Sequence, residues 1–219
     1  MKKYDLVLFD LDGTILNTTE GVLAAAKHTI EKLNYPMLDE KQLTSFIGPP
    51  IQESFAKAYG LEGDILQTIA TIFRDQYKNV DLLKATPYDG IYDLLTSLTD
   101  IGCVSAVATY KREDYALTLL KHYKFDNYMV SMHGADHENK LKKQDIIKIC
   151  MKDTNITDVK KAVMVGDTIH DAMGAEKLGM DFIGVTYGFG FKSLEDAKTV
   201  PNVGFAETPA DIFKFISEP

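Results

Sequence analysis

No run of apolar residues in this 219-residue chain approaches the ~18–20 that a membrane-spanning helix needs. The N-terminus, Met1-Lys2-Lys3-Tyr4-Asp5, is charged. The apolar stretch after it stops at Asp10, too short for a signal-peptide core. Cysteine is almost absent. Cys103 and Cys150 stand far apart, inside apolar runs and without CxxC spacing, and are read as buried thiols in a reducing compartment. Positive charge is short as well. Lys and Arg number 24 against 32 Asp and Glu, a net charge of −8 with a pI near 5.1. Such a chain is a poor default binder of nucleic acid or of an anionic membrane, although a local basic pocket stays open. Internal repeats and low-complexity segments are missing. A cytoplasmic protein with no nucleic-acid or membrane partner is the expectation.

What is present is ordinary for a globular protein: 45% hydrophobic and 26% charged residues. The length suits one large domain, or a core with a small insert. Leu6-Val7-Leu8-Phe9 is apolar on both faces, as a buried strand of a parallel sheet must be. Runs at 103–108, 162–165 and 182–185 read the same way, and 128–130 more weakly. Between them the period turns helical: Ile91, Leu94, Leu95 and Leu98; Ala116, Leu119, Leu120 and Tyr123; Ile146, Ile147 and Cys150; Ala172, Ala175 and Leu178 before Gly179. Strands alternating with short helices predict a parallel sheet with right-handed crossovers. Residues 17–84 break this rhythm. Helical stripes run through Val22, Ala26, Ile30 and Leu33, through Ile51, Phe55 and Tyr59, and through Ile65, Ile69, Ile72 and Phe73. An all-helical insert after the first strand is predicted.

In open α/β sheets the site lies beyond the carboxyl ends of the strands. Three predicted strands end in polar residues: Asp10, Thr109 and Asp167. The first belongs to Asp10-Leu11-Asp12-Gly13-Thr14, a pattern that composition produces about once in a hundred such chains. Its two carboxylates can face one small ligand, and Gly13 permits a tight turn. Gly166-Asp167-Thr168-Ile169-His170-Asp171 adds a strand-end carboxylate and another four positions on. With Asp10 these make an oxygen-rich set suited to a hard cation such as Mg²⁺. No zinc spacing is found; His133 and His137 are read as surface-loop residues, and His170 as a loop residue near the site. Thr109 can offer a hydroxyl, and the loop after it free N–H groups, to a phosphoryl oxygen. Lys140, Lys142 and Lys143 crowd before a helix, where one can serve as a point charge for phosphate. Gly188-Phe189-Gly190 follows a strand without opening a clear helix, so it is read as a loop and not as a dinucleotide site.

These residues, in this order, resemble the haloacid dehalogenase-like superfamily, and within it the phosphoglycolate phosphatase-like branch. The first motif matches Asp10-x-Asp12-Gly13-Thr14 and the second Thr109. The third matches Lys143 in Lys143-Gln144-Asp145-Ile146, and the fourth Gly166-Asp167 with Asp171. The resemblance implies a Rossmann-like parallel-sheet core with helices on both faces, residues 1–16 and 85–219. It also implies a small helical cap domain, residues 17–84, inserted after the first strand. Gly48-Pro49-Pro50 resembles a cap loop that faces the site. Asn17-Thr18 departs from the Asp-Ser that many relatives carry at the hinge.

The implied activity is Mg²⁺-dependent hydrolysis of a small phosphorylated metabolite: phosphoglycolate-like, a nucleoside monophosphate or pyrophosphate. Asp10 would attack phosphorus and form an aspartyl-phosphate. Asp12 would protonate the leaving oxygen and then activate water. The metal would be held by Asp10, the Asp12 carbonyl and Asp167, with Asp171 supporting from behind or through water. Thr109 and Lys143 would bind the phosphoryl oxygens. Asp at position 12 favours phosphate-ester chemistry over dehalogenation. A sugar-phosphate mutase of the same fold is an alternative, as is a non-enzymatic phosphoacceptor. The partner is a small phosphorylated metabolite, and the chain is expected as a monomer or homodimer.

Overall fold

A computed structural model of the protein describes residues 2–48, 50–137 and 140–217. Pro49, within the Gly48-Pro49-Pro50 turn, lies outside the described residues. The chain forms two compact units, one of Met1–Asn17 with Pro87–Pro219, the other of Thr18–Thr86.

The first unit is built on a six-stranded sheet. Its strands are β1 (Leu6–Phe9), β4 (Val104–Arg112), β5 (Met129–Ala135), β6 (Ala162–Gly166), β7 (Asp181–Val185) and β8 (Gly204–Ala206). They run in the order β5-β4-β1-β6-β7-β8, every neighbouring pair parallel. Two short strands, β2 (Leu16–Asn17) and β3 (Thr86–Pro87), form a separate two-stranded sheet. Central β1 is buried at every position, which is why its sequence is apolar throughout and does not alternate. Among the described residues five α-helices complete the unit, α5 (Ile91–Asp100), α6 (Glu113–His122), α7 (Lys143–Asp153), α8 (Ile169–Glu176) and α9 (Pro209–Ile216), with short 3-10 turns between the elements.

On one face Leu6, Leu8, Ala106, Met164 and Phe182 pack with Ile146, Ile147 and Cys150 of α7 and Ala172 and Ala175 of α8. Alternate strand residues point to the opposite face, where α5 packs against β4 and α9, and α9 against β8. Burying the apolar stripe of α7 contributes roughly 1.5–3 kcal/mol per large side chain, as an upper estimate. Cys103 and Cys150 are both buried and free.

The predicted strands and helices of this unit are present, with three differences. β4 does not stop before Thr109 but continues to Arg112. β5 is a full strand of seven residues; its alternation with polar Ser131 and His133 weakens the apolar signal because it is an edge strand. β8 and α9 are additions: three residues are too few to show a period, and α9 is announced only by Thr208-Pro209 with Asp211 closing a capping box.

The second unit contains α1 (Thr19–Lys32), α2 (Glu40–Thr44), α3 (Ile51–Tyr59) and α4 (Ile65–Gln76), followed by a π-helical turn at Tyr77–Asp81. Its own core comprises Ala26, Ile30, Leu43, Phe46, Phe55 and Ile69. The rings of Tyr35, Tyr59, Phe55 and Phe46 form a continuous aromatic row, with neighbouring centroids 4.9, 5.8 and 5.1 Å apart. Gly60 ends α3 in the left-handed conformation with φ of 67°, a position where a side chain is strained.

Candidate active site

Strand register determines where the polar ends fall. Phe9 lies level with Val107 of β4 and Val165 of β6. Asp10 therefore emerges beside Ala108 and Gly166, one step before Thr109 and Asp167. The Asp10 N–H still bonds the Val165 carbonyl at 2.9 Å, so the carboxylate starts from a fixed backbone. The following turn is equally constrained: the N–H groups of Thr14, Ile15 and Leu16 all donate to the Leu11 carbonyl. Gly13 has φ of 80°, and a Cβ there would run into Asp167 Oδ2.

Asp10, Asp167 and Asp171 each offer an oxygen, and these three atoms lie within 4.8 Å of one another. All three residues are buried. Lys143, at the first position of α7, reaches in with Nζ 2.7 Å from Asp10 Oδ1 and 2.6 Å from Asp171 Oδ1. Lys142 beside it caps the helix and is exposed. The Lys143 N–H donates to the Tyr110 hydroxyl oxygen at 2.9 Å, tying the start of α7 to the segment after Thr109. Thr109 is buried, and its Oγ1 accepts the Lys111 N–H at 3.1 Å. Asp12 is partly exposed, and both its carboxylate oxygens face Lys111 Nζ at 3.1 and 3.2 Å.

Asp171 is committed on both oxygens. Oδ1 meets Lys143, while Oδ2 accepts from the Thr168 N–H and hydroxyl at 3.1 and 2.7 Å, capping α8. Asp167 is committed on one. Its Oδ2 accepts the N–H groups of Phe189 and Gly190 at 2.6 and 3.1 Å, while buried Oδ1 has no hydrogen-bond partner. A buried carboxylate oxygen without a donor is costly. A hard cation would satisfy it, and an all-oxygen donor set suits such an ion.

The electrostatics agree. Burial pushes the Asp167 carboxyl up to about 7, with Asp171 and Asp10 adding repulsion. Burial also raises Asp10, to about 6, although Lys143 pulls the other way. Burial would lower the Lys143 ammonium, but the Asp10 and Asp171 carboxylates outweigh it and hold the group charged. Three buried carboxylates and one ammonium leave excess negative charge for a cation to offset.

Two participants were not legible as such. Nothing in the local sequence marks Lys111, and its pairing with Asp12 depends on the fold. The Gly188-Phe189-Gly190 loop is a cradle for Asp167: a Cβ at Gly188 would strike the Gly13 carbonyl and Asp167, and one at Gly190 the Asp167 carbonyl. Two glycines flanking one residue after a strand were the available signal. His133 and His170 lie in regular structure and not in loops. His133 is on β5, not in a loop, and bridges Glu113 at 3.2 Å and Asp153 at 2.7 Å. His170 is in the first turn of α8, edge-on to the Tyr110 ring at 5.7 Å. It is helical because Thr168 and Asp171 cap that turn.

An open parallel sheet with clustered carboxylates and a lysine at its carboxyl edge marks an enzyme of the α/β class, with a site suited to an oxyanion beside a cation. The chain belongs to the haloacid dehalogenase-like hydrolase family, whose match spans residues 7–185. It is 30% identical over 189 residues to a 5′-nucleotidase of Pseudomonas aeruginosa, covering 86% of this chain and 85% of the relative. It is 29% identical over 204 residues to the tyrosine-protein kinase PtkA of Mycobacterium tuberculosis, covering 93% and 69%. The structure of a predicted phosphatase from Clostridium acetobutylicum superposes with a TM-score of 0.83 at 33% identity, over 96% of this chain and 97% of that one. Other relatives are named pyrophosphatase and phosphoglycolate phosphatase. The chain is thus an enzyme of a hydrolase family whose named members include phosphatases. No helix among the described residues is long and apolar enough to cross a membrane.

Proposed function

We propose that the protein is a Mg²⁺-dependent phosphatase of small phosphorylated metabolites that works through an aspartyl-phosphate on Asp10. The observation that carries this reading is the convergence of Asp10, Lys143, Asp171 and the partnerless Asp167 Oδ1 at one sheet edge. Asp10, the Asp12 carbonyl and Asp167 would hold the ion. Bound there, Mg²⁺ supplies Lewis-acid polarisation of a phosphoryl oxygen.

The chain's own groups do the rest. An Asp10 carboxylate oxygen forms a bond to phosphorus as the ester P–O bond breaks and its electron pair passes to the leaving oxygen. Asp12, having taken up a proton before the ester is cleaved, delivers it to that oxygen. Asp12 then takes a proton from water as the water oxygen attacks phosphorus, and Asp10 is released with inorganic phosphate. Lys143 and Thr109 bind the phosphoryl oxygens, offsetting charge in a loose transition state. Lys143 is poised for this because the same ammonium already orients Asp10. Asp171 acts behind it, fixing the ammonium and the start of α8.

The helical segment 17–84 would serve as a cap that excludes water and selects substrate. A substrate small enough to be enclosed follows from that role: phosphoglycolate, a nucleoside 5′-monophosphate or pyrophosphate. The test is phosphate release from these compounds and from sugar phosphates, with Mg²⁺ and with excess chelator. Metal-dependent release, absent in Asp10→Asn with an unchanged circular dichroism spectrum, is expected. Turnover retained in Asp10→Asn would remove the nucleophile assignment. Isomerisation of a sugar phosphate without free phosphate would replace hydrolysis by mutase chemistry.

A further inference from the structure

The phosphate- and metal-binding roles assigned to Asp10, Thr109, Lys143 and Asp167 leave the Lys111 side chain, paired with Asp12, without a role. Its side chain is only 8% exposed, and its Nζ faces both oxygens of Asp12. An ammonium this enclosed is unfavourable unless a carboxylate meets it. Three features hold it there. β4 loses regular register with β5 between Ala108 and Arg112, an irregularity that re-aims side chains at the strand end. The Lys111 N–H turns back to Thr109 Oγ1. Gly134 of β5 lies directly behind the Lys111 carbonyl, where any Cβ would strike it. The backbone of Lys111 is thus set from three sides while its ammonium is aimed at Asp12.

We infer that Lys111 is a positioning residue for Asp12, gripping both carboxylate oxygens and so fixing the direction in which the acid and base faces the ester. The inference rests on Asp12 having that role. Both of its steps need the same oxygen near the scissile bond: first to give its proton to the leaving oxygen, then to take one from water. A carboxylate on a free χ1 would sample several directions, and a misplacement of about 1 Å can cost on the order of 10²-fold in rate.

The test compares an alkyl phosphate, whose leaving alkoxide needs a proton, with p-nitrophenyl phosphate, whose leaving group does not. In Lys111→Met, kcat on the best alkyl phosphate of the panel is expected to fall about 10²-fold with KM little changed. On p-nitrophenyl phosphate the same variant should release one equivalent of nitrophenol in a burst, then turn over slowly, because hydrolysis of the phospho-Asp10 still needs Asp12. Lys111→Arg should restore much of the rate. In an Asp12→Asn background, Lys111→Met should change the burst rate by less than about twofold, since its partner is gone. Lys111→Gln carries the same comparison if the Met variant does not fold. Equal losses on both substrates without a burst would overturn the inference, as would a full Lys111→Met effect in the Asp12→Asn background. So would an unimpaired Lys111→Met in an active enzyme, which leaves the proposed function standing. A wild-type protein that releases no phosphate from any substrate overturns both.

Discussion

Replacing Asp167 by asparagine should stabilise the metal-free protein at pH 8. In the folded protein the Asp167 carboxyl titrates at about 7, against an ordinary 3.8, chiefly because it is buried and secondarily because Asp171 and Asp10 repel its charge. Between those values the folded state binds the proton more than the unfolded state does. Folding stability contributed by this group therefore falls as pH rises from 3.8 towards 7 and is flat above. The full cost is about 4 kcal/mol at pH 8, as a ceiling, and under about 2 kcal/mol at pH 5. Asparagine keeps the shape. Its carbonyl oxygen can accept from the Phe189 and Gly190 N–H groups, and its NH₂ then faces the neighbouring carboxylates as a donor. For a chain of this length 1 kcal/mol is worth about 2–4 °C in Tm. In chelator at pH 8, Asp167→Asn should melt about 5–10 °C above wild type, with the gap shrinking by more than half at pH 5. Mg²⁺ should raise the Tm of wild type and leave the variant nearly unmoved. Differential scanning calorimetry in matched buffers measures all three. A variant that melts at or below wild type in chelator at pH 8 would refute the reasoning, because charge at Asp167 would then not be the destabilising term.

Lys143→Met should have the opposite sign. It leaves the Asp10 and Asp171 carboxylates buried without a counter-charge, a loss of about 3–5 kcal/mol in urea denaturation at pH 8. The loss should be smaller below pH 6, where Asp10 takes a proton. Gly188→Ala should disturb the cradle around Asp167 and raise the Mg²⁺ concentration for half-maximal phosphate release by about 10–100-fold. The two thiols should be inert in the native protein. Both are buried, and burial pushes Cys150 up to about 11. Iodoacetamide at pH 8 should add nothing to folded protein and two groups after unfolding, as read by mass spectrometry.

Most of the sheet was legible because parallel strands buried on both faces must be apolar throughout, and β1, β6 and β7 each show this over four or five residues. β5 was faint because an edge strand carries Ser131 and His133 among its apolar residues. β8 was silent because three residues hold no period. Lys143 could be picked from its neighbours only by the Gln-Asp-Ile after it. Burial separates them, with Lys143 enclosed and Lys142 in solvent. His133 looked like a loop residue because nothing local shows that Glu113 and Asp153, from two different helices, meet its ring.

The sequence by itself determined the alternation of strands and helices, the polar residues at the strand ends and the helical character of 17–84, since each depends on local period and local chemistry. Only the tertiary structure decided which oxygens are already spent. Asp171 is occupied by a helix cap and a lysine, whereas Asp167 keeps one buried oxygen without a donor. Only it set Lys111 against Asp12 and folded a Gly-Phe-Gly loop around Asp167. Those pairings join residues far apart in the chain, and they exist because parallel register sets Phe9, Val107 and Val165 level, so that the polar residues just after them meet.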